Sequence, residues 1–217
     1  MANRLIGGIE VIVSDDDRYL QINDISGSDL MEIWEQIKTD YALYEKWICY
    51  HNYTKIPFAL LDDIGAVLLD DCIETHLIAD SLICSDMSGV VRITEDNFDE
   101  FAAYHRKCNP DCGAQPERIR RNLSHWGIFA LLTNNRITDY IILAMGNPEQ
   151  AEVFCIQSAD SAKCKALITC AAKYAFGTGK KDILYMADDN TIAYQAAISV
   201  GFTNTGFYKG YAITNSR

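Results

Sequence analysis

Proline is scarce, and four residues in 217 rule out long proline-rich disordered tracts. Long apolar runs are missing as well, since none reaches the ~18 residues that a membrane-crossing helix needs. The stretch Met1-Ala2-Asn3-Arg4-Leu5-Ile6-Gly7-Gly8 lacks the apolar centre of a secretory signal. The expectation is a soluble, cytoplasmic protein with no membrane partner. No Gly-x-Ser-x-Gly elbow, Walker loop or His-Glu-x-x-His occurs, so nothing supports the chemistries that depend on them.

Positive charge is thin in one part of the chain. Residues 1–88 carry 5 Lys/Arg against 17 Asp/Glu, a net of −12, whereas residues 89–217 carry 14 against 13, a net of +1. The chain's whole excess of −11 therefore sits in its first part, with a compositional boundary near Ser88-Gly89. Such an acidic segment repels phosphate backbones, so a nucleic-acid partner is not expected. It reads as a solvated face or as a surface that attracts cationic amines.

Eight cysteines are present, and without a secretory signal they are expected to be free thiols. Cys49, Cys155, Cys164 and Cys170 fall in apolar periodic segments and read as small core residues. His105, Cys108 and Cys112 could supply three zinc ligands, but structural zinc usually takes four and no second Cys/His pair follows. No metal is expected, and Asn109-Pro110 reads as a turn after a helix end.

Apolar residues make up 49% and charged residues 23%, enough to bury a core in one large domain or two small ones. The chain also repeats itself. In its second part Val153–Gln157 is a strand, and Ser158–Ser161 leads into a helix with Cys164, Leu167, Ile168, Ala171 and Ala175 on one face. Gly177 and Gly179 stop that helix. Asp182–Met186 is the next strand, and Asp188 or Asp189 can cap a helix that buries Ile192, Ala196 and Val200. The tail from Phe202 to Ile213 reads as a hairpin turning near Gly206.

Residues 19–78 follow the same order. Tyr19–Ile22 is a strand, Leu30, Ile33, Trp34, Ile37 and Tyr41 mark a helix face, and Lys46–Cys49 is a strand. A helix opened by Pro57 carries Ile56, Leu60 and Ile64, and Val67–Ile78 matches the final hairpin. The second copy alone has a long preface: a strand at Val90–Ile93, helices capped by Thr94 and opened by Pro116, and two strands turning at Asn134-Asn135. Before the first copy stands only a strand candidate, Leu5–Val13.

This order of elements, together with Asp189-Asn190-Thr191-Ile192-Ala193, Gly201-Phe202 and Tyr208, resembles the GNAT superfamily of N-acetyltransferases. The resemblance implies an α/β fold with a mixed central sheet flanked by helices. Residues 1–88 would form a truncated, acidic copy and residues 89–217 a complete one. It also implies acetyl-CoA as donor, an amine acceptor attacked directly, and a monomer or homodimer. The donor contacts it implies fall on Ile156, Gln157, Ala159, Ser161, Ala162, Lys163, Cys164 and Asn190. The family's Gln/Arg-x-x-Gly-x-Gly/Ala loop maps onto Ala159, Ala162 and Cys164, and none of the three matches. Glycines there let phosphates approach the backbone, which a β-carbon or thiol obstructs.

The family's general-acid tyrosine falls at Ala197, leaving Tyr194, Tyr208 and Tyr211 as tyrosines that could donate a proton to the leaving thiolate, with Tyr194 and Tyr208 taken as the candidates. Asp188, Asp189 and Glu152 are the candidate bases. The alternative is an inactive module of this fold that binds acyl-CoA or a protein.

Overall fold

The computed structural model describes residues 2–16, 18–51, 53–110 and 112–213. Local chemistry sets where its elements begin and end. Gly7 and Gly8 adopt φ of +55° and +85°, so the single strand expected from Leu5 to Val13 is instead a tight antiparallel hairpin of β1 (Ala2–Ile6) and β2 (Ile9–Ser14). The helix α1 (Gly27–Asp40) starts where the Ser26 hydroxyl accepts the Asp29 amide at 3.2 Å. It buries Leu30, Ile33, Trp34 and Ile37, as their spacing predicts.

The chain divides into two compact units, Met1–Ile73 with Gly206–Arg217, and Glu74–Thr205. Residues 74–88 and 206–217 thus lie in the opposite unit from the one drawn by composition at Ser88-Gly89. In the first unit β2 pairs antiparallel with β3 (Tyr19–Asn23), and β3 pairs parallel with β4 (Glu45–Tyr50) across α1. The short α2 (Phe58–Asp63) follows Pro57, and Leu61 is its buried residue, with Leu60 and Ile64 half-buried. Both expected terminal hairpins are single strands, β5 (Val67–Ile78) and β11 (Thr203–Ile213). Gly206 lies inside β11 without a positive φ, so no tight turn forms there. The segment of β11 from Lys209 pairs antiparallel with β4.

The second unit contains β6 (Val90–Arg92), α3 (Phe98–Cys108), α4 (Pro116–Arg121), β7 (Trp126–Thr133), β8 (Arg136–Ala144), β9 (Gln150–Gln157), α5 (Ser161–Gly177), β10 (Asp182–Ala187) and α6 (Ile192–Ser199). Thr94 forms a capping box with Asn97 ahead of α3, and Asn134 and Asn135, at φ +52° and +57°, turn β7 into β8. Strands β7, β8 and β9 pair antiparallel in sequence, and β9 pairs parallel with β10. This antiparallel, antiparallel, parallel succession is also that of β1 to β4.

Two apolar clusters cover the faces of the second unit's sheet: α5 and α6 pack on one, α3 and α4 on the other. Helix α6 is capped by the Thr191 hydroxyl, which accepts the Tyr194 amide at 3.1 Å, and not by Asp188 or Asp189. Ala196, Ala197 and Val200 are its buried positions, whereas Ile192 at its first turn is 43% exposed and does not join that face. Cys164 is buried as expected, but Cys155 and Cys170 are only half-buried.

Gly201 closes α6 at φ +109°, and a β-carbon there would lie 2.0 Å from the Ser81 carbonyl oxygen. Neither the conformation nor the space tolerates a side chain. Gly201→Ala should lower unfolding stability by about 3 kcal/mol or more, read from urea denaturation midpoints.

Candidate functional site

Among the described residues, the second unit's sheet opens between β9 and β10. The β9–β10 ladder runs from Asp182↔Gln150 to Tyr185↔Val153 and stops, although β9 continues to Gln157 and β10 to Ala187. On its other side β9 stays paired with β8 as far as Tyr140↔Gln157. Between Ile142↔Cys155 and Leu143↔Val153 the register shifts, and Phe154 has no partner. A bulge of this kind adds local twist and turns the strand away from a neighbour. Among the described residues, the β10-facing backbone groups of Phe154–Gln157 therefore lack a ladder partner. In the first unit the corresponding β3–β4 ladder is complete from Tyr19↔Glu45 to Asn23↔Cys49, so no such opening exists there.

Glu152 stands on β9 just before the bulge, opposite Leu184 and Ala144. Its neighbours Ala151 and Val153 belong to the α5-side core, so alternation directs Glu152 to the α3/α4 face. Burial pushes its pKa above the ordinary glutamate value. Phe154 is 37% exposed, and its ring meets Trp126 edge-on at 5.7 Å between centroids.

The loop after β9 is where the donor phosphates were expected. Ala159, Ser161 and Ala162 are exposed there. The first turn of a helix leaves amides without intrahelical partners, so Ser161 and Ala162 can present N–H groups. Asp160, however, is the N-cap, and its carboxylate accepts the Lys163 amide at 3.0 Å. Lys163 turns its ammonium to Asp139 at 2.7 Å. Burial alone would raise Asp139, but hydrogen bonds from Lys163, Thr138 and Ser158 outweigh it and hold its carboxyl below the usual range. Cys164 is buried in the α5-side core with its thiol 3.8 Å from the Ser158 carbonyl. Ile156 packs against that core, and Gln157 accepts the Asn109 amide group at 3.1 Å.

The opening between β9 and β10 fits an extended arm that carries its own hydrogen-bonding groups. The start of α5 fits a pyrophosphate poorly, since a carboxylate already occupies the cap and the nearby cation is neutralised.

Asn190 is exposed, at φ +60° in the turn before α6. Asparagine tolerates this left-handed conformation, which by itself accounts for the residue type. Tyr194 lies in the second unit, half-buried against the α5-side core, and Ala197 is fully buried there. Tyr208 lies in the first unit, where its hydroxyl meets the Cys49 thiol at 3.0 Å. Burial beside that thiol pushes the Tyr208 pKa up.

One constellation escaped the sequence reading. His105 is fully buried; its Nε2–H donates to the Ala114 carbonyl at 3.0 Å, and its Nδ1 accepts from the Tyr140 hydroxyl at 2.5 Å. Asn109 donates to that same hydroxyl at 2.5 Å. The signal available was the cluster from His105 to Cys112, read for zinc. Among the described residues no three His, Cys, Asp or Glu side chains are arranged to hold a metal.

No family model matches the sequence, and neither does any curated protein. Solved structures do match. A GCN5-related N-acetyltransferase from Kribbella flavida is 10% identical, with 99% of this chain and 90% of that one covered at a TM-score of 0.71. One from Sphaerobacter thermophilus is also 10% identical, with 94% and 75% covered at 0.63. The N-myristoyltransferase of Saccharomyces cerevisiae is 11% identical, with 90% and 60% covered at 0.59. The fold is that of the GCN5-related N-acetyltransferases, a mixed sheet flanked by helices.

Lys163→Met should leave the buried Asp139 carboxylate short of a donor and cost about 1 kcal/mol at pH 7, the pair being partly screened by solvent. Because folding lowers the Asp139 pKa, the stability it contributes is present above the unfolded value of about 4 and is lost as pH falls through the folded one. The wild-type advantage over the variant should therefore shrink under acid, as read by denaturation at stepped pH.

Proposed function

We propose that the chain is an acyl-CoA-dependent N-acyltransferase, with acetyl-CoA as donor and an amine as acceptor. The observation that carries this reading is the opening of β9 from β10 at the Phe154 bulge. The backbone edge of Phe154–Gln157 that lacks a β10 ladder partner would hold the pantetheine arm by hydrogen bonds, and Ser161 and Ala162 would offer amides to the phosphates. The donor, when bound, supplies a thioester whose carbonyl carbon takes up the amine.

Glu152 is the group placed to accept a proton from the incoming ammonium, directly or through water. Its raised pKa makes it a stronger base than an ordinary carboxylate. Transfer is direct, with the amine nitrogen bonding to the acyl carbon as the carbon–sulfur bond breaks. Tyr194 and Tyr208 remain the tyrosines to test as proton donors to the thiolate. Tyr194 shares a unit with the opening, whereas Tyr208 is engaged with Cys49.

A second reading, an inactive acyl-CoA-binding or protein-interaction module of the same fold, draws support from the Asp160 cap and the Asp139–Lys163 pair. Calorimetric titration with acetyl-CoA and CoA separates the two. Saturable micromolar binding of both is expected, and no binding at millimolar acetyl-CoA would remove the donor site and the transfer reading with it. Asn190→Gly keeps the left-handed turn, so a loss of affinity in that variant assigns the side chain to the donor, and full affinity leaves it a turn residue.

Once an amine substrate is found, Glu152→Gln should lower kcat by roughly 100-fold to 10,000-fold with little change in KM for the donor. The acid limb of the kcat/KM profile should lie above the ordinary glutamate pKa and disappear in the variant. An unchanged profile would exclude Glu152 as the base.

A further inference from the structure

Two cysteines that have no place in the transfer reading meet at the α3/α4 face of the second unit. Cys155 stands on β9 just past the bulge, opposite Ile142. Cys112 lies in the connection from α3 to α4, held by its amide to the Asn109 carbonyl at 3.2 Å and by Gln115 Nε2 on its own carbonyl at 2.7 Å. Both side chains pack against the same apolar cluster. The next residue, Gly113, is seated over the Phe154 ring, with its β-carbon position 3.6 Å from the ring edge.

The two sulfurs are not equivalent. The Cys112 and Cys155 thiols interact with each other, and the Ala114 amide and the His105 ring lie beside the Cys112 sulfur. His105 is locked in place by the Ala114 carbonyl, the Tyr140 hydroxyl and a stacked Phe101 ring at an interplanar angle of 14°. Hydrogen bonding with Cys155, with the His105 ring and the Ala114 amide beside it, outweighs burial and holds the Cys112 thiol well below the usual range, while that same contact and burial push Cys155 up. The result is one nucleophilic sulfur beside one protonated sulfur, the asymmetry that thiol–disulfide chemistry requires.

We propose that Cys112 and Cys155 form a reversibly oxidisable dithiol, which a hydroperoxide converts to a disulfide linking the α3–α4 connection to β9. The Cys112 thiolate attacks one peroxide oxygen, the O–O bond breaks, and Cys112 is left as a sulfenic acid with water or an alcohol released. The Cys155 sulfur then attacks the Cys112 sulfur; its proton leaves with the displaced hydroxyl as water. Two thiols are oxidised, one hydroperoxide is reduced, and a small dithiol reductant reverses the change. The cross-link would fall on the segment of β9 that lacks a β10 partner, so it acts on the strand that forms the opening. Formation of the disulfide does not depend on the transfer reading.

The test is peptide mapping of the full chain, reduced and then exposed to hydrogen peroxide, quenched with an alkylating agent at successive times. The exposed Cys84 and the neighbouring Cys108 are internal references. The expected result is a peptide cross-linked between Cys112 and Cys155, formed at least tenfold faster than Cys84 is lost, and removed by dithiothreitol. Cys155→Ser should instead accumulate a dimedone-reactive sulfenic acid at Cys112. Prior oxidation of Cys84, a Cys108–Cys112 cross-link, or no change at Cys112 would each overturn the proposal. Should the variant fail to fold, as judged by circular dichroism, the wild-type map alone decides.

Discussion

Backbone groups in a sheet must find partners, and the arrangement of the second unit turns on one place where they do not. Phe154 inserts an extra residue into β9 opposite β8, and from there β9 and β10 no longer share a ladder. Unpaired peptide groups at a sheet interior are costly unless water or a ligand satisfies them. The same bulge turns Phe154 outward onto Trp126 and leaves Glu152 at the last paired stretch of the strand. Strand opening, apolar wall and partly desolvated carboxylate thus follow from a single inserted residue. The first unit repeats the strand order without the insertion, and its β3–β4 ladder closes completely.

Electrostatics around the start of α5 pull in the other direction. Unpaired amides and the helix dipole favour an anion there, but the chain supplies that anion itself as Asp160. Lys163, which could have met a phosphate, is drawn to Asp139, a buried carboxylate that needs its three donors more than solvent does. Under the proposed transfer reading, donor phosphates would compete with a built-in carboxylate, and affinity would come mainly from the pantetheine arm. On the opposite face, a chain of hydrogen bonds from Gln157 and Asn109 through Tyr140 to His105 satisfies every polar group it buries and fixes the imidazole beside Cys112.

Periodicity and capping residues made most elements legible. The apolar faces of α1, α3 and α5, the Asn134-Asn135 turn and the two-fold recurrence of strand, helix, strand and helix are all local properties, which a sequence displays directly. The Gly7-Gly8 turn is equally local, two glycines at positive φ reversing the chain between β1 and β2. Ile192 was misplaced because the helix begins at that residue, and a first-turn side chain need not follow the face of the turns after it. The two expected hairpins are long strands, and from Lys209 on β11 is held by β4, a partner from a distant part of the chain.

The sequence by itself determined the element order, the acidic first part, the free thiols and the loss of the glycine loop, since each depends only on residues near one another in the chain. Tertiary structure alone decided where β9 leaves β10, that Lys163 belongs to Asp139, and that Cys112 lies against Cys155 and His105. Those are contacts between residues tens of positions apart, and neither spacing nor composition carries their register. A strand's bulge is set by the partner it must follow, and a thiol's reactivity by the donors that packing brings to it.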